Sequence, residues 1–153
     1  MDTCGQLFVG GIQAALDVGF LQAAHICCIV KATGMHATVQ YPAEYHGATL
    51  ELPVSFGMVA LNLVDQVLDT VHAMLLGGGN VYIHCGSGRH RSCAAVAMYL
   101  VKHQGFSAAE AMVHVSKCRK QAEFNYEWVK GRRPLAPRVE DAERLWVASD
   151  TDQ

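Results

Sequence analysis

The chain has 153 residues and a mass of 16.6 kDa, which is the size of one ordinary domain with one core. Hydrophobic residues make up 51% and charged residues 17% of the sequence, so an intrinsically disordered chain is excluded. The net charge is −2, which disfavours bulk nucleic-acid binding. The longest uninterrupted apolar run, residues 94–101, is shorter than the roughly 20 residues that span a bilayer, so no membrane span is expected.

The first five residues, Met-Asp-Thr-Cys-Gly, have neither the basic nor the apolar region of a secretory signal peptide. We therefore interpret the six cysteines as reduced thiols of a cytoplasmic or nuclear protein. The sequence contains no CxxC or HxxxH pair, so a zinc site is not expected and no metal is predicted.

The first half of the chain predicts three strands and two helices. The clearest element is an amphipathic helix, because apolar residues recur at helical spacing over residues 58–76 and three glycines follow it. Residues 32–47 contain glycine, proline and polar residues and predict a loop. The other elements are a strand at 7–9 ending at Gly10-Gly11, a helix at 14–24 interrupted at Gly19, and strands at 25–31 and 48–54.

The second half predicts a buried strand at 80–84, a glycine-containing loop at 85–91 and a helix at 92–104 that ends at Gly105. Ser107 and Glu110 have the spacing of a capping box, which predicts a helix to about residue 120. Short helices are predicted at 124–129 and 139–147, followed by an acidic tail.

Strands that alternate with helices predict an α/β single domain. We expect a central, mainly parallel sheet of four to five strands with helices on both faces. Ligands of such sheets bind outside the carboxyl ends of the strands, which directs attention to the loop after residue 84.

The loop at residues 84–92 lies between a strand and a helix start, so its backbone N–H groups can form an anion site. Gly86 and Gly88 are expected to adopt the positive φ angles that such a loop needs. Cys85 lies in the same positive field, which favours its thiolate, and Arg91 presents a planar fork for two phosphate oxygens. A thiolate below a phosphate site is a nucleophile directed at phosphorus.

This pattern, His84-Cys85 followed by five residues and Arg91-Ser92, resembles the signature of the cysteine-based protein phosphatases, specifically the compact dual-specificity group. The resemblance implies a phosphatase-like fold, with residues 1–137 as the catalytic domain and 138–153 as a C-terminal tail with a short helix. It is strong over residues 80–128, weaker over 7–33 and poor over 34–79.

The resemblance also implies a role for each residue of the loop. Cys85 would attack phosphorus and become a phosphocysteine, and Arg91 would stabilise the transition state. Ser92 would hydrogen-bond the sulfur and help it leave, while His84 would hold the loop and help keep Cys85 ionised. No cofactor is implied, and the expected partner of a monomeric protein is a phosphoprotein substrate. The implied phosphate-binding residues are Gly86, Ser87, Gly88, Arg89, His90 and Arg91.

The sequence departs from the family pattern at the general acid. The family uses an Asp on the loop after an Ile/Leu-Pro-Val strand to protonate the leaving oxygen. Residues 52–54 read Leu-Pro-Val here, but Ser-Phe-Gly-Met follows at 55–58, and no Asp occurs between Asp17 and Asp65. The general acid is therefore unknown from the sequence.

Three interpretations of this absence remain open. Glu51 or Glu44 could supply the acid, and so could Asp65 or Asp69, although the solvated face of a helix is the simpler reading of these two aspartates. Alternatively no general acid exists, which typically costs ~10²–10⁴ in rate. Such an enzyme would favour leaving groups that need no proton.

Two further groups of residues have alternative readings. Cys93 and Cys118 could form a disulfide with the nucleophile, or Cys93 could simply pack within its alanine-rich helix. A set of basic residues could form a rim that selects acidic substrates, or could be a solvated face. The set consists of Lys117, Arg119, Lys120, Lys130, Arg132 and Arg133.

The residues therefore predict a phosphoric monoester hydrolase. We expect it to act on phosphotyrosine, and on phosphoserine or phosphothreonine, through Cys85. One alternative is a phosphatase of the same fold for a non-protein substrate, an RNA 5′-triphosphate or a phosphoinositide. Another is a phospho-binding pseudophosphatase that keeps the loop and has lost turnover.

Overall fold

The structure, a computed structural model, describes residues 4–33, 38–54, 61–124, 129, 132, 134 and 147–149. Five parallel strands form one sheet in the order β3-β2-β4-β1-β5, which confirms the predicted α/β domain. The strands are β1 (Leu7–Gly10), β2 (Ile26–Lys31), β3 (Ala48–Glu51), β4 (Asn80–His84) and β5 (Val147–Ser149). The helices are α1 (Ile12–Ala15), α2 (Val18–Ala23), α3 (Leu61–Leu76), α4 (Arg91–Gln104) and α5 (Ala108–Cys118).

Helices cover both faces of the sheet, as predicted. Alternate residues of β4 point to opposite faces, so Val81 and Ile83 pack with α3, α4 and α5 while Tyr82 packs with α1 and α2. The residues of β4 from Val81 to His84 are all buried, because helices cover the sheet on both sides. This double burial fixes the position of the loop that follows β4.

The helix predicted at 14–24 is two helices in the structure. The break lies at Asp17, whose side chain accepts a hydrogen bond from the Phe20 backbone N–H at 3.3 Å and so caps α2. Gly19, where the interruption was expected, lies inside α2. The capping aspartate, and not the glycine, therefore separates the helices.

The turn between α4 and α5 follows the sequence prediction closely. Gly105 ends α4 in the left-handed region with φ 72°. Ser107 Oγ accepts from the Glu110 backbone N–H at 3.1 Å, and a Glu110 carboxylate oxygen accepts from the Ser107 backbone N–H at 3.1 Å. This capping box sets the direction of α5, whose far end reaches the loop after β4.

The C-terminal prediction needs a correction. Residues 147–149, which the sequence placed at the end of a short helix and in the tail, form edge strand β5 and pair with β1. Residues 139–146 of that predicted helix lie outside the described residues, as do 125–128 of the predicted helix at 124–129. The predicted start of α3 at 58–60 and most of the basic residues beyond position 129 also lie outside them.

The strand register brings four chain positions to the carboxyl edge of the sheet. Gly10 of β1 is aligned with His84 of β4, His84 with Lys31 of β2, and Lys31 with Glu51 of β3. The loop that follows His84 therefore begins between β1 and β2. Within the described ranges, no helix is long and apolar enough to cross a membrane. The predicted cytoplasmic or nuclear location and the monomeric state stay predictions.

Candidate active site

Cys85 is the first residue after β4, and its position is fixed by neighbouring backbone. Its side chain is buried, and its backbone N–H donates to the Gly10 carbonyl at 3.3 Å. The Gly88 N–H donates to the Cys85 sulfur at 3.2 Å, and Ser92 Oγ lies 3.3 Å from the same sulfur. The loop thus curls around the sulfur and places donors that stabilise a negative charge there.

Ser92 lies between two acceptors. Its hydroxyl is 3.2 Å from the Gly10 carbonyl and 3.3 Å from the Cys85 sulfur, and it has one proton to donate. A thiolate is a stronger acceptor than a neutral carbonyl. When Cys85 is ionised, the Ser92 hydroxyl can therefore donate its hydrogen bond to the sulfur instead of to the carbonyl. The role of Ser92 in helping the thiolate to leave stays a prediction, and this geometry places its hydroxyl within reach of the sulfur.

Gly88 is the position of the loop where only glycine fits. Its φ is +73°, and a Cβ there would lie 2.5 Å from the Gly10 carbonyl carbon and 2.6 Å from the Gly11 nitrogen. Gly86 was expected to need a positive φ as well, but it lies outside that region, and nothing lies within 4 Å of where its Cβ would be. The close approach of the β1–α1 turn therefore explains why residue 88 is a glycine, but it does not explain the glycine at residue 86.

Helix α4 begins directly at Arg91 and points its amino end into the loop. The N-cap residue His90 makes no side-chain hydrogen bond to the first turn. The first-turn N–H groups and the helix dipole favour a bound anion at this point. Arg91 itself is half-buried beside them, and its planar guanidinium is the group that the family resemblance assigns to phosphate binding.

His84 holds the start of the loop as a neutral imidazole. Burial lowers the pKa of His84, and the nearby Lys31 ammonium lowers it further, although a hydrogen bond to the Cys85 backbone acts in the opposite direction. Its Nδ1 lies 3.3 Å from the Cys85 carbonyl, which can only accept, so Nδ1 carries the proton. Nε2 then accepts from the Tyr41 hydroxyl at 2.8 Å. Burial raises the pKa of Tyr41 to about 12, so this hydroxyl keeps its proton.

Residues 8–131 match the family described as "Dual specificity phosphatase, catalytic domain". The chain belongs to this family. It is 32% identical over 122 residues to mouse dual specificity phosphatase 28, covering 78% of this chain and 72% of the relative. Human dual specificity protein phosphatase 14 is 29% identical over 129 residues, which are 84% of this chain and 58% of that protein. The crystal structure of human DUSP28 superposes with a TM-score of 0.69 at 29% identity, covering 80% of this chain and 85% of the other.

Membership of the dual specificity phosphatase family confirms the resemblance that the sequence carries. The chain spans little more than half the length of some curated relatives that it matches, 58% for dual specificity protein phosphatase 14. The division at residue 137 between domain and tail stays a prediction, although β5 shows that residues 147–149 belong to the sheet.

Arg119 is a residue of this phosphatase site that the sequence analysis assigned to another place. The sequence predicts a basic rim or a solvated face for this residue, but its side chain is buried behind the loop. Its guanidinium donates to the carbonyls of Ser87 and Gly88 and to Ser149 Oγ. No local pattern could have indicated this burial, because the acceptor on Gly88 lies 31 residues earlier in the chain.

The rest of the predicted rim divides into two groups. Lys117 and Lys120 are exposed, as a rim or a solvated face requires. Arg132 donates to Asp65 on α3 at 3.0 Å, so it has a structural partner. Lys130 and Arg133 lie outside the described residues.

The segment after α5 packs against the outer side of the phosphatase loop. The Glu123 backbone N–H donates to the Arg89 carbonyl at 2.7 Å, and its carboxylate lies 3.4 Å from His90 Nε2. The carbonyls of three consecutive loop residues, Ser87 to Arg89, are thereby held from outside. Their N–H groups are left to the inner side, where a phosphate would bind.

No candidate general acid is shown in contact with Cys85 among the described residues. Glu51 forms an ion pair with Lys31 at 2.7 Å, and Asp65 forms one with Arg132 at 3.0 Å. Glu44 lines a cavity of about 330 Å³ beside Ile26, at the amino end of β2 and so at the end of the sheet opposite Cys85. Glu44 therefore lies away from the loop and Asp65 has a partner on another segment, whereas Glu51 lies at the same carboxyl edge of the sheet as the loop and is paired there with Lys31.

Asp69 also has partners of its own. Its carboxylate lies 2.7 Å from Lys102 Nζ and 3.0 Å from His103 Nε2, at the carboxyl end of α4. The hydrogen bond from Lys102, with a smaller contribution from His103, holds the pKa of Asp69 below its usual range. A carboxylate that loses its proton so readily is poorly suited to donate one near neutral pH.

A metal centre has no support in the part of the chain that the structure describes, where no three His, Cys, Asp or Glu side chains are grouped as metal ligands. All six cysteines are free thiols there. Cys93 is buried in α4 with its sulfur 3.4 Å from the Gly88 carbonyl, consistent with packing. That no metal or cofactor is needed stays a prediction.

Proposed function

We propose that this domain hydrolyses phosphotyrosine in proteins, and phosphoserine or phosphothreonine more slowly, through a phosphocysteine on Cys85. The observation that carries the proposal is the position of the sulfur. It accepts a hydrogen bond from the Gly88 N–H and lies at the base of a loop that opens on the amino end of α4. Such a site binds a phosphate dianion with its phosphorus directly in front of a stabilised thiolate.

The reaction has two steps on this geometry. The Cys85 thiolate attacks phosphorus, the ester P–O bond breaks, and the leaving oxygen departs with the electron pair. The guanidinium of Arg91 and the loop N–H groups stabilise the three equatorial oxygens in this transition state. Water then attacks the phosphocysteine, and inorganic phosphate forms as the P–S bond breaks. The sulfur leaves as a thiolate, which accepts a hydrogen bond from the Ser92 hydroxyl.

We propose that the site works without a general acid, and this shapes which substrates suit it. Residues 55–58, where the family pattern expects an Asp, contain no carboxylate at all. Glu51 and Asp65 form ion pairs with Lys31 and Arg132, and Glu44 lines a cavity at the opposite end of the sheet. The leaving oxygen would then take its proton from water. The phenol of tyrosine, with a pKa near ~10, leaves more readily in this way than the more basic alcohols of serine and threonine.

A leaving-group series tests the proposal. Aryl phosphates whose phenols span several pKa units should show kcat/KM falling steeply as the phenol becomes more basic, and a phosphotyrosine peptide should be hydrolysed faster than its phosphothreonine counterpart. The profile of kcat against pH should lack a falling alkaline limb, since that limb reports an acid that must stay protonated. Glu51→Gln should leave both results unchanged.

The opposite result would name the missing group. A shallow leaving-group dependence with an alkaline limb that disappears in Glu51→Gln would contradict the proposed lack of an acid and assign that role to Glu51. The same comparison with Glu44→Gln and Asp65→Asn covers the other two candidates.

The second candidate is a non-protein substrate with a phosphate leaving group, such as an RNA 5′-triphosphate. The absent Asp at residues 55–58 favours it, because a phosphate leaves without protonation. The net charge of −2 weighs against a nucleic-acid substrate. Turnover of the triphosphate but not of the phosphotyrosine peptide would favour this candidate. Binding of phosphate without turnover of any substrate would indicate a pseudophosphatase.

A further inference from the structure

Arg119 makes contacts that a merely space-filling residue would not need. Its side chain is buried, and a guanidinium has five N–H donors and no acceptor. A buried cation of this kind is stable only where several acceptors face it. Here the acceptors are the Gly88 carbonyl for Nε, the Ser87 carbonyl for Nη2 at 3.3 Å, and Ser149 Oγ for Nη1 at 2.7 Å.

The two carbonyls belong to the peptide groups that face the reacting atoms. The Ser87 carbonyl and the Gly88 N–H are parts of one peptide group, and that N–H donates to the Cys85 sulfur at 3.2 Å. A cation that hydrogen-bonds the carbonyl polarises the whole peptide group and makes its N–H a stronger donor. The charge of Arg119 therefore acts on the Cys85 sulfur through one peptide group.

The neighbouring peptide group is polarised in the same way. The Gly88 carbonyl, which accepts from Arg119 Nε, shares its peptide group with the Arg89 N–H, one of the N–H groups that the family resemblance assigns to phosphate binding. Gly88 itself is enclosed, because a Cβ there would lie 2.6 Å from Arg119 Nη2 and 2.5 Å from the Gly10 carbonyl carbon. The loop is thus held between β1 on the inside and Arg119 on the outside.

Ser149 fixes the direction of the guanidinium. It is the last residue of edge strand β5, it is buried, and it is aligned with Val9 of β1. The next residue of β1, Gly10, accepts the hydrogen bonds of the Cys85 N–H and of the Ser92 hydroxyl. The β1–β5 pair therefore supports the loop from both sides, directly through Gly10 and indirectly through Ser149 and Arg119.

We propose that Arg119, oriented by Ser149 of the C-terminal strand, is a positioning residue that turns the Ser87 and Gly88 carbonyls outward and strengthens the N–H donors facing the Cys85 sulfur and the phosphate. The inference rests on the proposed use of Cys85 as the nucleophile. It gives β5 a function in the site, although the strand itself makes no contact with the reacting atoms.

The test compares Ser149→Ala, Ser149→Thr and Arg119→Lys with the wild type. Ser107→Ala is the matched control, since it removes a buttressing serine hydroxyl at the start of α5, away from the loop. The first readout is the rate at which iodoacetamide alkylates Cys85 as a function of pH, followed by mass spectrometry of the Cys85 peptide. The second is inhibition by vanadate, whose trigonal-bipyramidal adduct resembles the transition state.

Ser149→Ala is expected to raise the pH midpoint of Cys85 alkylation by roughly half a unit and to weaken vanadate inhibition about 3–10-fold, the magnitude of one lost hydrogen bond. Arg119→Lys should have larger effects in the same directions, because lysine keeps the charge and loses the fork. Ser149→Thr should restore both values. Ser107→Ala should lower the melting temperature and change neither.

The inference is overturned if Ser149→Ala leaves the alkylation midpoint and the vanadate affinity at their wild-type values, or lowers only the melting temperature as the control does. Should Arg119→Lys fail to fold, Ser149→Ala decides alone. Alkylation needs no turnover. A wild type that hydrolyses nothing, yet shows the midpoint shift in Ser149→Ala, would contradict the proposed function and support the positioning role.

Discussion

The two ends of helix α4 have different neighbours, and the difference explains the composition of the site. At the amino end, Arg91 begins the helix beside the first-turn N–H groups and the Cys85 loop. At the carboxyl end, Lys102 and His103 are paired with the carboxylate of Asp69. The helix dipole favours an anion at the first end and cations at the second. Cations placed at the second end in turn attract the carboxylates of α3.

This comparison explains why the aspartates of α3 are paired at the carboxyl end of α4. Lys102 lies 11 residues beyond Arg91, which is roughly 16 Å along the helix axis at about 1.5 Å per residue. The aspartates of α3 that could have served as general acids contact Lys102 and are thereby held at the wrong end. The amino end is left as an anion site with a nucleophile, and the Glu123 carboxylate that lies there is 3.4 Å from His90 Nε2.

The largest effect is expected from the nucleophile. Cys85→Ser should reduce kcat for an aryl phosphate by at least about 10⁴-fold, since a serine hydroxyl at this position has no base to ionise it. Steady-state hydrolysis measures the loss. The matched control is Cys27→Ser, an exposed thiol on β2, which should keep wild-type activity. Residual turnover in Cys85→Ser comparable with wild type would place the nucleophile elsewhere.

The next largest effect concerns the shape of the loop. Gly88→Ala should destabilise the fold by about 2 kcal/mol, because a Cβ at φ +73° is strained and collides with the backbone of the β1–α1 turn. Gly86→Ala should change the free energy of unfolding by less than about 0.5 kcal/mol, since nothing lies near its Cβ. Urea denaturation of the pair measures the difference, and equal stabilities would contradict the described loop.

A smaller effect is expected at the carboxyl end of α4. Asp69→Asn should lower the stability at pH 7 by about 0.5 kcal/mol, since the ion pair with Lys102 is largely exposed and screened by solvent. The pKa of Asp69 is lowered in the folded state, so the stabilisation is present above about pH 4 and is lost as the pH falls through the folded value. Melting curves from pH 7 to acid should show the two proteins converging. A gap that persists in acid would exclude the charge as its cause.

The smallest effect separates structure from catalysis. Asp65→Asn should change kcat/KM by less than about 3-fold, because its carboxylate pairs with Arg132 and does not reach the Cys85 loop. Loss of a real general acid would cost about 10²–10⁴-fold. A loss in that range, together with disappearance of an alkaline limb from the pH profile, would show that Asp65 is the general acid. That result would contradict the described position of its carboxylate.

The phosphatase loop could be predicted because its information is local. The buried strand, the two glycines, Cys85 and Arg91 follow one another within a few residues, and the capping box of α5 is equally local. The glycines also show the limit of such reading. The sequence treats Gly86 and Gly88 alike, whereas only Gly88 faces the backbone of Gly10.

The parts that the sequence analysis missed depend on contacts between distant segments. Arg119 is followed by another basic residue and resembles any exposed cation until its acceptors on the loop are known. Strand β5 has three residues, too few for a periodic pattern, and it forms because β1 leaves an open edge beside it. Ser149 therefore acquires its role only from the pairing of the two ends of the chain.

The most direct test of the account is to trap the phosphocysteine. The protein is mixed with a radiolabelled phosphotyrosine peptide, quenched rapidly under denaturing conditions and digested, and the labelled peptide is identified by mass spectrometry. The account predicts a thiophosphate bond on Cys85 that forms before phosphate is released, and that is absent in Cys85→Ser. Hydrolysis of the peptide without label on Cys85 at any time would contradict it.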